Sequence, residues 1–377
     1  MADKFKARVE QLLSGTGIIL NGSEPHDIQV HNENLYARVL SEGSLGFGEA
    51  YMDGWWSSDA LADTMTLILG AGVKQKLHPT LGLVVDALHA RIANMQTPKR
   101  SFKVGEAHYD IGNDLYEAML DKLMTYTCGY WSAPSAPKTL DEAQEAKLDL
   151  ICRKIGLRRG QRVLDIGCGW GSFAKFAAEK YGAHVVGVTI AKEQVALGME
   201  KCKGLPVEIR LQDYRSLNEK FDHIVSVGMF EHVGYKNYHE YFKVAARCLK
   251  EDGLFLLHTI GSNTSGVSTD PWIAKYIFPN SMLPSVKQIG GAIENLFVME
   301  DLHNFSADYD TTLMHWHQNV EAHWPELAGN KKYDERFHRM WTYYLLVCAA
   351  SFRTRYNQLW QIVLSPSGVP GGYKTVR

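Results

Sequence analysis

The residues from Val163 to Ser172 read Val-Leu-Asp-Ile-Gly-Cys-Gly-Trp-Gly-Ser. An apolar run carrying Asp165 passes into glycines at 167, 169 and 171, and Phe173 to Ala178 then has the pattern of an amphipathic helix. A strand that ends in a glycine-rich turn and opens a helix holds nucleotides in doubly wound α/β folds, because bare backbone amides there can touch the ligand. A dinucleotide fingerprint spaces its glycines G-x-G-x-x-G, and here the third glycine arrives one residue early. That spacing counts against hydride transfer from a nicotinamide. Metal chemistry has less support. The 15 histidines show no H-E-x-x-H pattern and the 6 cysteines no C-x-x-C spacing, so no metal site is expected and the thiols read as reduced.

The elements around the turn must place it. Strand patterns recur at Arg162–Ile166, His184–Thr189, Val207–Leu211, Asp222–Val227 and Gly253–His258, with helical stretches at 140–155, 191–203 and 237–249. This is an α/β, Rossmann-like order, and it predicts a ligand site at the carboxyl ends of the first, second, fourth and fifth strands. Residues 335–356 read as a long apolar helix and Gln358–Leu364 as a late strand. The segment 262–330 is too long for a plain connection and is expected to cover the substrate.

The first 95 residues lack any strand–helix rhythm. Phe5, Val9, Leu12 and Leu13 share one helix face, Asp27–His31 alternates like a strand, and Asp59–Leu69 reads as a helix. Between them, Glu42–Trp56 is rich in glycine and aromatics, which suggests a smaller, mainly helical domain with an aromatic-lined surface. Residues 74–103 carry Lys74, Lys76, Arg91, Lys99, Arg100 and Lys103 against one acid, Asp86. They form either the solvated back of a core-facing helix or a contact for anionic lipid headgroups, two readings that are compatible. Residues 96–107, with Pro98, read as a linker to a catalytic domain spanning 108–377.

Length and composition set limits. A chain of 377 residues favours two domains, and 45% hydrophobic with 22% charged residues is an ordinary globular balance. A formal charge of −2 argues against a nucleic-acid binder held by bulk electrostatics. With no apolar signal core and no apolar run near 18 residues, a cytoplasmic location is expected.

The turn Asp165-x-Gly-x-Gly-x-Gly resembles motif I of class I S-adenosylmethionine-dependent methyltransferases. A wider set of segments resembles the cyclopropane-fatty-acyl-phospholipid synthase family, in its bacterial two-domain type. These segments are Gly43–Trp56, His108–Asp114, Tyr126–Trp131, Gly187–Ile190, Val227–Gly234, Leu257–Gly261, Asp270–Pro279 and Asp308–Leu313. The resemblance implies addition of a methylene from S-adenosylmethionine across a cis double bond of a phospholipid acyl chain. It implies a carbocation deprotonated with bound bicarbonate, an unsaturated phospholipid in a bilayer as partner, peripheral contact with the inner leaflet, and a homodimer. An acyl-chain methyltransferase yielding a branched or hydroxylated product is the alternative.

For the cofactor, the resemblance assigns Tyr126, Thr127, Asp165, Gly167, Gly169, Gly171, Thr189, Gln194, Gln212, Asp213 and Tyr214. For the anion it assigns Cys128, Glu231, His258, Ile260 and Tyr309. Tyr309 can donate its phenolic proton, backbone near His258 and Ile260 can offer amides, and ionised Glu231 can only accept. Direct general-base action by Glu231 remains open. Cys348 matches a cysteine proposed as catalytic in the family, but its apolar setting favours an inert thiol. Trp131, Phe230, Tyr276 and Phe278 could steady a cation or simply fill the core.

Overall fold

The computed structural model describes residues 2–73 and 112–377. The basic stretch 74–103, the linker 96–107 and the expected domain boundary lie outside the described residues. The chain divides into two compact units.

The first unit joins the N-terminal region to residues 268–279 and 309–357. Its opening helix, Ala2–Leu13, buries Val9, Leu12 and Leu13 as the periodicity predicts. A two-stranded ribbon pairs β1 (Gln29–Val30) with β2 (Trp56–Ser57). The glycine-rich stretch is a helix, Ser44–Met52. Gly48 belongs there for close approach, since a Cβ would fall 2.5 Å from Trp272 Cδ1.

Of its aromatics, Tyr51 and Trp56 do not line a surface, while Phe47 and Trp55 are half-buried. Trp56 is fully buried, and the Tyr343 ring packs 5.4 Å from Tyr51 and 4.7 Å from Trp272. Tyr343 sits on the long apolar helix, Glu335–Arg353. Burying that helix against the N-terminal helices is what draws late segments into the first unit, so the division is not a single cut after residue 95.

The second unit is built on a seven-stranded sheet. Its strands are β3 (Arg162–Ile166), β4 (His184–Thr189), β5 (Val207–Leu211), β6 (Phe221–Val227), β7 (Leu249–Ser262), β8 (Val298–Asn304) and β9 (Asn357–Ser365), in the order β5-β4-β3-β6-β7-β9-β8. The pairs from β5 through to β7 are parallel, as expected, and β8 runs antiparallel to β9. Alternation along β3 sends Leu164 and Ile166 into one core and Val163 into another, so both faces are covered. One expectation needs correction. Part of the segment read as a substrate cover supplies β8, the edge strand that pairs with β9.

Candidate active site

Three positive-φ glycines shape the turn after β3: Gly167 at 82°, Gly169 at 55° and Gly171 at 82°. A Cβ on Gly167 would lie 2.5 Å from Met229 Cβ, and one on Gly171 would lie 2.9 Å from Ile209 Cδ1. At Gly169 a Cβ would meet nothing within 4 Å. Two glycines are thus needed by neighbouring protein atoms, and the middle one faces open space.

Asp165, near the end of β3, is buried, and burial pushes its carboxyl up to about 7. Its Oδ2 has no hydrogen-bond partner among the described residues. At the end of β4 the Thr189 hydroxyl donates to Gln194 Oε1 at 2.7 Å, with both side chains buried. An open glycine floor, an orphaned carboxylate oxygen and a Thr–Gln pair after the second strand fit the ribose and methionine parts of S-adenosylmethionine.

The expected adenine residues are arranged differently from one another. Asp213 accepts the Arg215 amide at 2.9 Å and pairs with the Arg215 guanidinium at 3.3 Å. Gln212 donates to Ser216 at 3.0 Å. The Tyr214 ring belongs to the core, edge-on to Tyr241 at 5.3 Å. Its ring therefore packs in the core, and its hydroxyl has no hydrogen-bond partner among the described residues.

The strap Tyr126–Cys128 lies in the same unit. Its hold comes from the helix Leu140–Lys154, whose start is fixed by a Thr139–Glu142 capping box. Gln144 Nε2 donates to the Thr127 carbonyl at 2.7 Å, and Lys147 Nζ donates to Thr127 Oγ1 at 2.8 Å. The Tyr126 ring meets Tyr116 at 5.2 Å, and Tyr116 meets Trp170 of the glycine turn at 5.0 Å. Cys128 is fully buried, with its thiol toward the Gly129 carbonyl at 3.1 Å. Sequence reasoning missed Gln144 and Lys147. Their signal was polar residues on the inward stripe Ala143, Gln144, Lys147, Leu148, Ile151 of an amphipathic helix.

Register and one hydrogen bond bring Glu231 to the strand that carries His258. Val227 pairs with His258 across β6 and β7, and the Gly228 amide donates to the His258 carbonyl at 2.9 Å. Glu231 Oε1 accepts the Ile260 amide at 2.6 Å. Ile260 thus serves Glu231 directly, where an amide offered to the anion was expected. Burial pushes the Glu231 carboxyl up to about 7, and its Oε2 has no partner among the described residues.

Burial also holds the His258 imidazole well below its ordinary value, so the ring is neutral. Gln361 Nε2 donates to His258 Nδ1 at 3.3 Å, which leaves the proton on Nε2. That Nε2 too lacks a partner among the described residues. A buried N–H donor and a buried carboxylate oxygen, both unsatisfied, fit a small oxyanion carrying its own hydroxyl proton. Gln361 on β9 was not anticipated, because nothing in the sequence pairs it with His258.

Tyr309 and Cys348 belong to the first unit. The Tyr309 ring stacks on Phe352 at 4.5 Å. Burial pushes the Cys348 thiol up to about 12, so it carries almost no thiolate near neutrality. Phe230 is a core residue stacked on Tyr238 at 4.2 Å, Phe278 lies edge-on to Tyr344 at 5.9 Å, and the Tyr276 hydroxyl donates to Glu49 at 2.8 Å.

Residues 96–362 match the family model described as mycolic acid cyclopropane synthetase. The chain belongs to this family. Within its wider kin, it is 53% identical over 375 residues to the cyclopropane-fatty-acyl-phospholipid synthase of Escherichia coli K12, covering 100% of this chain and 97% of that one. The cyclopropane synthase MmaA2 from Mycobacterium tuberculosis superposes with a TM-score of 0.65 at 32% identity, over 72% of this chain and 99% of that one. The mycolic acid cyclopropane synthase CmaA1, complexed with SAH and CTAB, gives 0.64 at 32% identity, over 70% and 97%. Family membership thus places the glycine turn, the Thr189–Gln194 pair and the Glu231–His258 pair in an S-adenosylmethionine-dependent methyltransferase fold.

Proposed function

We propose that the chain converts cis double bonds in the acyl chains of membrane phospholipids to cyclopropane rings, with S-adenosylmethionine as carbon donor and bicarbonate bound beside it. The observation that carries this reading is two unsatisfied buried atoms, Glu231 Oε2 in the turn that follows β6 and His258 Nε2 on the neighbouring parallel strand β7. Full-length similarity to a phospholipid-acting relative supports it.

Bound S-adenosylmethionine supplies an electrophilic sulfonium methyl, and the protein's share is to hold and shield it. The turn at Gly167, Gly169 and Gly171, with Asp165, Thr189 and Gln194, would hold its ribose and methionine parts. Gln212, Asp213 and the Tyr214 backbone would edge the adenine, and Tyr126 with Thr127 would close over it. An alkene is a weak nucleophile, so fixed orientation and a dry site matter more here than for an amine.

Methyl attack leaves a carbocation on the acyl chain, and ring closure needs a base that is not itself methylated. Bicarbonate would supply that base. His258 Nε2 would donate to it, and ionised Glu231 would accept a hydrogen bond from its hydroxyl, raising the basicity of the remaining oxygens. Cys128 would line this site, and Cys348 serves as packing.

Peripheral contact with the inner leaflet from the cytoplasm, and assembly as a homodimer, complete the proposal. The six cations within 74–103 support the lipid contact. The test is incubation with unsaturated phospholipid vesicles and labelled S-adenosylmethionine. Acyl chains heavier by one methylene, with the alkene lost, are expected. A retained alkene, or a branched or hydroxylated product, overturns the reading.

A further inference from the structure

Lys147 is a cation in an unusual place. It lies in the middle of the helix Leu140–Lys154, is completely buried, and no carboxylate of the described residues lies within ion-pair distance of it. A buried lone ammonium is expensive, and an apolar side chain of similar length would serve the helix better. Its direct hydrogen bond is to Thr127 Oγ1 at 2.8 Å.

The backbone on either side of Thr127 is pinned by separate bonds. Gln144 Nε2 reaches the carbonyls of Thr127 at 2.7 Å and Thr125 at 3.3 Å. Asp121 accepts the Thr125 amide at 2.7 Å and the Leu123 amide at 3.0 Å. The strap backbone is thus bonded by groups other than Lys147, which itself bonds the Thr127 side chain and acts on the Asp121 charge at longer range. That side chain is also crowded from the far side, where a Cβ on Gly228 would come 2.5 Å from Thr127 Cγ2. With Gly228 on one flank and the ammonium on the other, the Thr127 rotamer is fixed.

We propose that Lys147 is a positioning residue for the methyl-donor site, fixing the Thr127 hydroxyl so that its remaining hydrogen-bonding capacity faces the bound cofactor. This rests on the S-adenosylmethionine reading. Lys147 donates to the threonine oxygen, which leaves the hydroxyl proton free to be offered elsewhere. Two carboxylates, Asp121 and then Asp165, act on the same ammonium at longer range. The cation is kept for function at a site where stability alone would favour methionine.

A double-variant cycle tests this, read by calorimetric binding of S-adenosylhomocysteine to the full chain. Lys147→Met should weaken binding about tenfold, the scale of one charge-assisted hydrogen bond, with the melting temperature held or raised. Thr127→Val should weaken it similarly, and the double variant should be no worse than Thr127→Val alone. Unchanged affinity in Lys147→Met, or losses that multiply in the double variant, overturns the proposal. Should Lys147→Met fail to fold, the wild-type chain still decides. Its Lys147 ammonium resonance must move when S-adenosylhomocysteine is added, and a stationary signal overturns the inference. A wild-type chain that does not bind S-adenosylhomocysteine fails the underlying reading instead, and this inference falls with it.

Discussion

Replacing Glu231 by glutamine separates the cost of its charge from the value of its shape. In the folded chain burial moves the carboxyl from 4.5 to about 7, which corresponds to about 3 kcal/mol against the ionised form. The sign follows from proton binding. The folded state keeps the proton up to about 7 and the unfolded chain releases it near 4.5, so wild-type stability falls as pH rises through that window. Glutamine does not titrate, and its carbonyl can still accept the Ile260 amide.

Glu231→Gln should therefore gain on the wild type by about 2–3 kcal/mol between pH 5 and pH 8. For a unit of this size that is a relative rise in melting temperature of about 5–10 °C. Thermal melts of both proteins at pH 5 and pH 8, in bicarbonate-free buffer, read the difference directly. With bicarbonate restored, ring formation should collapse in the variant and not in the wild type, while S-adenosylhomocysteine binding persists in both. A melting difference that is flat with pH, or that turns against glutamine as pH rises, would refute the claim that burial makes ionising this carboxyl costly in the folded chain.

Other perturbations probe separate parts of the molecule. Gly167→Ala places a methyl 2.5 Å from Met229 at a φ of 82°, and should cost about 1–3 kcal/mol and most of the S-adenosylhomocysteine affinity. Calorimetry on the purified variant checks it. His258→Ala removes the unsatisfied Nε2 donor, and should lower turnover about 100-fold with little change in cofactor affinity. Steady-state kinetics separates the two effects. Glu49 of the first unit titrates in the opposite sense. Hydrogen bonds from Lys275, Tyr276 and Arg38 outweigh its burial and hold its carboxyl down at about 2, so its stabilisation is present above 4.5 and lost as pH falls through about 2. Glu49→Gln should melt several degrees lower at pH 7, with the deficit shrinking as pH drops below 4.5. Finally, the Cys348 thiol, at about 12, should react with iodoacetamide at pH 7.5 far more slowly than free cysteine, as peptide mass mapping would show.

The sequence alone determined the parts of this protein that depend on local order. The central strands and the glycine turn were legible because period-two apolar runs and positive-φ glycines are features of neighbouring residues. The carboxyl ends of strands as the site followed from that order. Motif resemblance placed Glu231 and His258; the structure puts His258 on β7, opposite Val227 of β6, and ties Glu231, just after β6, to the Ile260 amide two residues beyond His258.

What only the tertiary structure decided involves residues far apart in the chain. The pairing of Gln361 with His258, the edge strand β8, the packing of Tyr343 against Tyr51 and Trp272, and the Lys147–Thr127 bond each join distant segments. Whether Tyr214 meets a ligand or the core, and whether Ile260 serves an anion or Glu231, depended on which neighbour packing brought within about 3 Å, a distance that sequence spacing does not encode.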